Sequence, residues 1–207
     1  MLNHGYTPEI ARTAFSLLVA SSGQARAQIE WKPALVHNLQ VALTCQVMLL
    51  VYHQLTTFVD LFPFNGARFY ARREKVIEMG VNLILMGLAI AGYMFGIAGL
   101  MLYGVIYYFF LFGIELVIWW IPYFFQPQGA ARRLYNAALA IGTSDFAPGD
   151  TLRRWQAVFV RIHARTLTVL PARPGRITPN LEHTILHALT LVTALATLCA
   201  YLQRLAP

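Results

Sequence analysis

The amino-acid sequence predicts an all-α integral membrane protein of four transmembrane helices, with a cytoplasmic amphipathic helix between the third and the fourth. Three observations predict this class. Of the 207 residues, 57% are hydrophobic and only 12% are charged, well outside the usual composition of a soluble domain. Several stretches supply the roughly 20 mostly apolar residues that a helix needs to cross a hydrocarbon core of about 30 Å. The basic residues collect in two of the connections between those stretches, as they do beside membrane helices.

Residues 1–33 form an N-terminal segment. Within it, "TAFSLLVASSGQARA" loosely matches a signal peptide, with a short apolar run and an Ala-x-Ala ending, but its flanking charge is weak. An interfacial helix accounts for the same residues.

Residues 34–125 hold the first three spans. The first, Ala34 to Leu61, contains His37, Asn38, Gln40, Gln46, His53 and Gln54, yet no proline interrupts it between Pro33 and Pro63. The stretch Val76 to Phe125 has only Glu78 and Glu115 as charges and is too long for one crossing, so it reads as a tight hairpin of two helices. The reversal is expected near Gly96 to Gly99, since glycine tolerates the backbone angles of a turn. The third helix is expected to end near Pro122, beside Trp119, Trp120 and Tyr123, whose rings suit the headgroup level.

Residues 126–178 form a basic connection, too small for a domain with a substantial core of its own. After the loop "GTSDFAPGD", Leu152, Trp155, Phe159 and Ile162 recur at helical spacing while Arg154, Arg161 and Arg165 fall on another face. Asp150 or Thr151 could cap this helix, and Pro171 lies past its end. It reads equally as a helix on the membrane surface and as one packed on the rest of the protein.

Residues 179–207 hold the fourth span. Thr178 followed by Pro179 is a favourable helix start, and Leu181 to Leu202 carries no formal charge after the first turn. Cys45 and Cys199 both fall inside spans, which argues against a disulfide.

Twelve of the sixteen Lys and Arg residues lie in the connection after the first helix or in the one before the fourth. Four spans put both connections on one side, and the positive-inside rule makes that side cytoplasmic. A bacterial-type inner membrane with both termini outside the cytoplasm is the expected location. The net charge of +7 has membrane lipid as its natural partner; no nucleic-acid recognition motif accompanies it.

Ionisable groups inside a membrane are costly, and each is a functional hypothesis. In this topology His53 and Asp60 end the first helix, with Gln46, His53 and Asp60 on one face at seven-residue spacing; Glu78 begins the second, and Glu182, His183 and His187 begin the fourth. All reach one depth, with Glu115 somewhat deeper. His37 stays near the outer surface, and His163 belongs with the connecting helix.

Three functions follow. The preferred one is a membrane-embedded enzyme, metal-dependent or acid-base, acting on a lipid or amphiphilic substrate at the cytoplasmic boundary. Asp60, Glu78, Glu115 and Glu182 are its catalytic carboxylates. His53, His183 and His187 would bind a divalent metal, because histidines at i and i+4 can share an ion. Arg68, Arg72, Arg161 and Arg165 would hold an anionic group of the substrate. The zincin pattern is absent, since its glutamate must lie between the histidines. The alternatives are an accessory subunit of a larger membrane complex or a small homo-oligomeric transporter, and a haem b protein with His53 opposite His183 or His187.

Overall fold

The computed structural model describes residues 33–142 and 151–206. The N-terminal segment read as signal-like or interfacial, and the loop with Asp150, lie outside these. Residues 37–207 form one compact unit.

Among the described residues the chain is helical without a β-strand. Helix α1 spans Pro33–Phe58, α2 Arg72–Phe95, α3 Ala98–Phe124, α4 Gly129–Gly142, α5 Thr151–Ile162 and α6 Leu181–Leu205. Four of them, α1, α2, α3 and α6, are long and apolar enough to cross a membrane. Their outward faces are apolar: Val47, Val51 and Leu55 on α1 and Ile77, Val81 and Ile84 on α2 are exposed, as suits helices surrounded by hydrocarbon.

The α2–α3 hairpin turns at Gly96, which adopts a left-handed conformation with φ of 65° and ends α2 as a glycine C-cap does. Gly92 lets the helices meet there backbone to backbone: a Cβ on it would stand 2.6 Å from the Leu100 carbonyl carbon. Close approach through small residues is how helices associate where burial from water supplies no drive.

Helix α3 ends at Phe124, near Pro122 as expected. It first passes through a π-helical turn at Leu116–Trp120. The wider turn sends the Ile121 N–H to Leu116 O, freeing the Val117 carbonyl, and Pro122 has no N–H to give Ile118. Side chains of the connecting helices fill both gaps: Tyr135 Oη donates to Val117 O at 2.8 Å and Trp155 Nε1 to Ile118 O at 2.8 Å. Orphaned backbone carbonyls thus become the anchors of α4 and α5.

This arrangement corrects the aromatic belt expected at the end of the third span. Trp119 and Tyr123 are buried, because α4 and α5 cover that end of α3. Trp119, Tyr135, Leu152, Trp155, Phe159 and Ile177 form one apolar core. The apolar face of α5 is therefore spent on the protein, the second of the two readings of its pattern.

The termini of α1 and α6 also differ from expectation. Asn65 ends α1: its Nδ2 donates to Thr56 O and Val59 O at 2.8 Å each, and its Oδ1 accepts from Leu61 N. Asp60 is consequently in the following loop, off the helical face that its spacing predicts. Helix α6 is capped by Asn180, whose Oδ1 accepts the His183 N–H at 2.9 Å, instead of by Thr178. Asparagine ranks with the best N-caps, and starting at Leu181 leaves Pro179 outside the helix.

Candidate functional site

The ends of α1 and α3 and the starts of α2 and α6 meet at one end of the bundle. Tyr52 Oη on α1 donates to the Glu182 backbone carbonyl at 2.9 Å, and Gln54 Nε2 to Met79 O at 3.1 Å. The segment after α5 is tied in by Leu167 N donating to Pro63 O and Leu181 N to Leu167 O. Separate parts of the chain thereby reach one small volume.

A cavity of about 30 Å³ lies there. Among the described residues, its polar walls come from His53, Thr56, Thr57, Tyr70, Glu78, Glu182 and His183. That space admits one or two waters or a single ion and is far too small for a porphyrin. Trp119 already packs against His183, with ring centroids 4.0 Å apart and planes tilted by 33°, so the histidines expected to hold haem b do not fit that group.

Each side chain is held by a neighbour. His53 Nε2 faces Glu78 Oε1 at 3.4 Å, with Glu78 the more exposed partner. His183 Nδ1 lies 2.7 Å from Asn180 Oδ1 and 3.7 Å from Glu182 Oε2. Asn180 Nδ2 donates to Thr166 Oγ1, and the Thr166 hydroxyl donates to His163 O at 2.7 Å. His163 Nε2 lies 2.9 Å from Tyr70 Oη, and its ring meets His183 edge-on at 4.9 Å.

The cap fixes one tautomer. An amide N–H can only donate, so the Asn180 oxygen that accepts from His183 N is an acceptor for the ring as well. His183 Nδ1 therefore carries the ring hydrogen, and in the neutral imidazole Nε2 keeps its lone pair.

His163 is 1% exposed among Trp119, Trp155 and Phe159. Burial holds its imidazole down to about 3, so the ring is neutral at physiological pH. Its Nδ1 is buried without a hydrogen-bond partner. One donor atom each from His163, Glu182 and His183 lie within 4.8 Å of one another.

The structure brings His53, Glu78, Glu182 and His183 of the residues singled out from sequence to the cavity wall; the others do not line it, although the His187 ring lies 5.8 Å from that of His183. His187 Nδ1 accepts from Trp120 Nε1 at 2.9 Å, on a buried flank. Glu115 is buried and accepts from Thr190 Oγ1 at 2.9 Å. Asp60 is exposed and forked to Arg68, at 3.1 and 3.0 Å from Nε; the guanidinium keeps its carboxyl below the usual range. Arg68, Arg72, Arg161 and Arg165 are exposed, and none lines the cavity.

His163, Tyr70 and Asn180 are the residues that sequence reasoning passes over. A signal exists for His163, which stands four positions after Phe159 and so on the apolar stripe of Leu152, Trp155 and Phe159. Tyr70 has none, since only the path of the α1–α2 loop delivers it. No family model matches the chain, and neither the curated proteins nor the solved structures include one detectably similar to it.

Proposed function

We propose that the protein is a membrane-embedded enzyme acting on a lipid or amphiphilic substrate, with the cavity at the starts of α2 and α6 as its reaction site. The observation that carries this reading is the convergence of His53, Glu78, Glu182 and His183 on one small, walled space. Buried acids and bases around a cavity are the arrangement general acid-base catalysis requires. Glu78 orients His53 from the exposed side, so His53 is the base nearest an entering group, and Glu182 is the opposing carboxyl.

The cavity's size limits what enters it to a water molecule or the reacting atoms of a substrate. The apolar remainder of an amphiphile stays outside, against the exposed faces of α1 and α2. By the positive-inside rule, the basic connections favour the cytoplasm for this end of the bundle, with both termini on the other side.

Mass-spectrometric lipid profiles of cells producing the chain, compared with cells carrying Glu182→Gln or His53→Ala at equal membrane levels, test the proposal. The wild-type chain is expected to deplete one lipid class and enrich another. Both variants lose that change by on the order of 100-fold, the usual contribution of a general acid or base. An unaltered profile with the wild-type chain, together with co-purification of a fixed partner, would instead make it an accessory subunit.

A further inference from the structure

We infer that His163, Glu182 and His183 form a binding site for one divalent metal ion of the zinc class, with a remaining coordination position opening on the cavity. This deepens the enzyme reading and rests on it for the use of that open position, though the site itself stands on its own geometry.

The donor set suits zinc. Two imidazoles and one carboxylate are a recurrent three-ligand set for catalytic zinc, which leaves a fourth position to water or substrate. Nitrogen donors select zinc and its neighbours over calcium and magnesium, which prefer oxygen. One donor atom from each of the three residues lies within 4.8 Å of the others; bonds of about 2.1 Å in a tetrahedron need separations of roughly 3.4 Å, so binding through His163 Nδ1 and His183 Nε2 requires the side chains to move closer.

The hydrogen bonds support the same ion independently. A ligating histidine characteristically has its other ring nitrogen engaged by a polar partner, which fixes tautomer and orientation. His183 Nδ1 is engaged by Asn180, which is itself pinned by the α6 cap and Thr166. His163 Nε2 is engaged by Tyr70. An ion on His163 Nδ1 requires the ring hydrogen on Nε2 with Tyr70 accepting it; Nδ1 is the atom that is buried and has no partner in the protein. Buried polar atoms are nearly always satisfied. Simple packing of a neutral imidazole among aromatic rings explains its burial but gives this nitrogen nothing to bond.

Tautomerism also excludes the neighbouring histidine. His187 Nδ1 accepts the Trp120 N–H, so its ring hydrogen is on Nε2 and no lone pair remains for an ion. The i, i+4 pair of α6 therefore does not chelate; the second imidazole comes from the end of α5, across the bundle. An ion held here would act as a Lewis acid and lower the pKa of a bound water, beside His53 and Glu78.

The test uses the full-length chain in detergent, stripped with a chelator and reloaded with zinc or cobalt(II) alone. About one zinc per chain is expected to be retained after desalting, and cobalt is expected to give the visible absorption of a four-coordinate site. His163→Ala and Glu182→Gln lose the metal and the cobalt spectrum, whereas His187→Ala keeps both. Zinc is also expected to raise the melting temperature of wild type and of His187→Ala, which reads binding in any variant that folds poorly. Retention below about a tenth of an equivalent by folded wild type, or undiminished retention by His163→Ala and Glu182→Gln, overturns the inference. Lipid conversion that persists in metal-stripped protein removes the metal and leaves the enzyme; stoichiometric zinc without any lipid change does the reverse.

Discussion

The two ends of the helical bundle are built from the same kinds of helix and solve opposite problems. At the hairpin end, α2 and α3 touch through Gly92, and Ala42, Tyr93, Met101 and Ala200 form a hydrophobic core. The polar groups there are largely matched: Tyr93 Oη donates to Thr197 O at 2.6 Å and Arg204 lies on the Met101 sulfur, leaving the Gln203 side-chain oxygen as the buried orphan. At the other end, backbone contact gives way to side chains drawn from separate parts of the chain. There the buried nitrogens His53 Nδ1, His163 Nδ1 and His187 Nε2 have no partner. A protein that only needed to pack could have closed both ends the first way. The unpartnered histidine nitrogens therefore lie at the end where the site is proposed, while Gln46, Tyr108 and Glu115 carry unpartnered buried atoms elsewhere in the bundle.

The largest expected effect on this contrast comes from the hairpin end. Gly92→Val puts a branched side chain where even a Cβ would stand 2.6 Å from Leu100. The helices must separate, at a cost of about 1 to 3 kcal/mol or more for such overpacking. A lowered melting temperature in detergent is expected, with zinc stoichiometry unchanged in the protein that remains folded. A loss of zinc at full thermal stability would mean that the two ends are not separable in this way.

Asn180→Ala probes the other end more gently. It removes the α6 cap, worth about 1 kcal/mol, and the hydrogen bond that orients His183, whose loss typically weakens metal binding by roughly 10- to 100-fold. Competition with a zinc-sensitive dye measures the affinity, and thermal unfolding the stability. Asn180→Ser, which keeps a cap, is expected to restore most of the stability while leaving zinc binding weak. Equal recovery of both would reduce Asn180 to a cap alone.

Much of this contrast is legible in the sequence. The spans and the reversal at Gly96 follow from apolar length and one residue type, both local properties. His53, Glu78, Glu182 and His183 meet at one end of the bundle because each lies close to the relevant helix end. What escapes depends on contacts distant in sequence. The π-helical turn is visible only with the partners of its freed carbonyls, Tyr135 and Trp155. His163 reads as a residue of a surface helix until α5 is seen folded against Trp119. Of the tautomers that separate His183 from His187, the first rests on Asn180, a local cap three residues away, and the second on Trp120, which no periodicity connects to His187.

Asp60 offers the smallest and sharpest test, because spacing alone puts it on the face of His53, and predicted depth alone groups it with Glu182. The helical period that places it beside His53 runs past the end of α1 at Phe58, which Asn65 closes from the loop. Its carboxylate is solvated and forked to Arg68, which also stacks over Phe62 at 4.3 Å, and exposed pairs contribute little. Asp60→Asn is expected to leave lipid conversion and zinc content at wild-type values, against the loss expected for Glu182→Gln. Its one signature is in acid. Arg68 lowers the folded-state pKa of Asp60 below 3.8, so the unfolded chain binds the proton more readily. The pair's small contribution is therefore present above the unfolded value and fades as pH falls through the folded one. Unfolding curves of wild type and Asp60→Asn should differ slightly at neutral pH and converge in strong acid. A loss of conversion in Asp60→Asn at neutral pH would return this carboxylate to the site and shift the reacting position toward the α1–α2 loop.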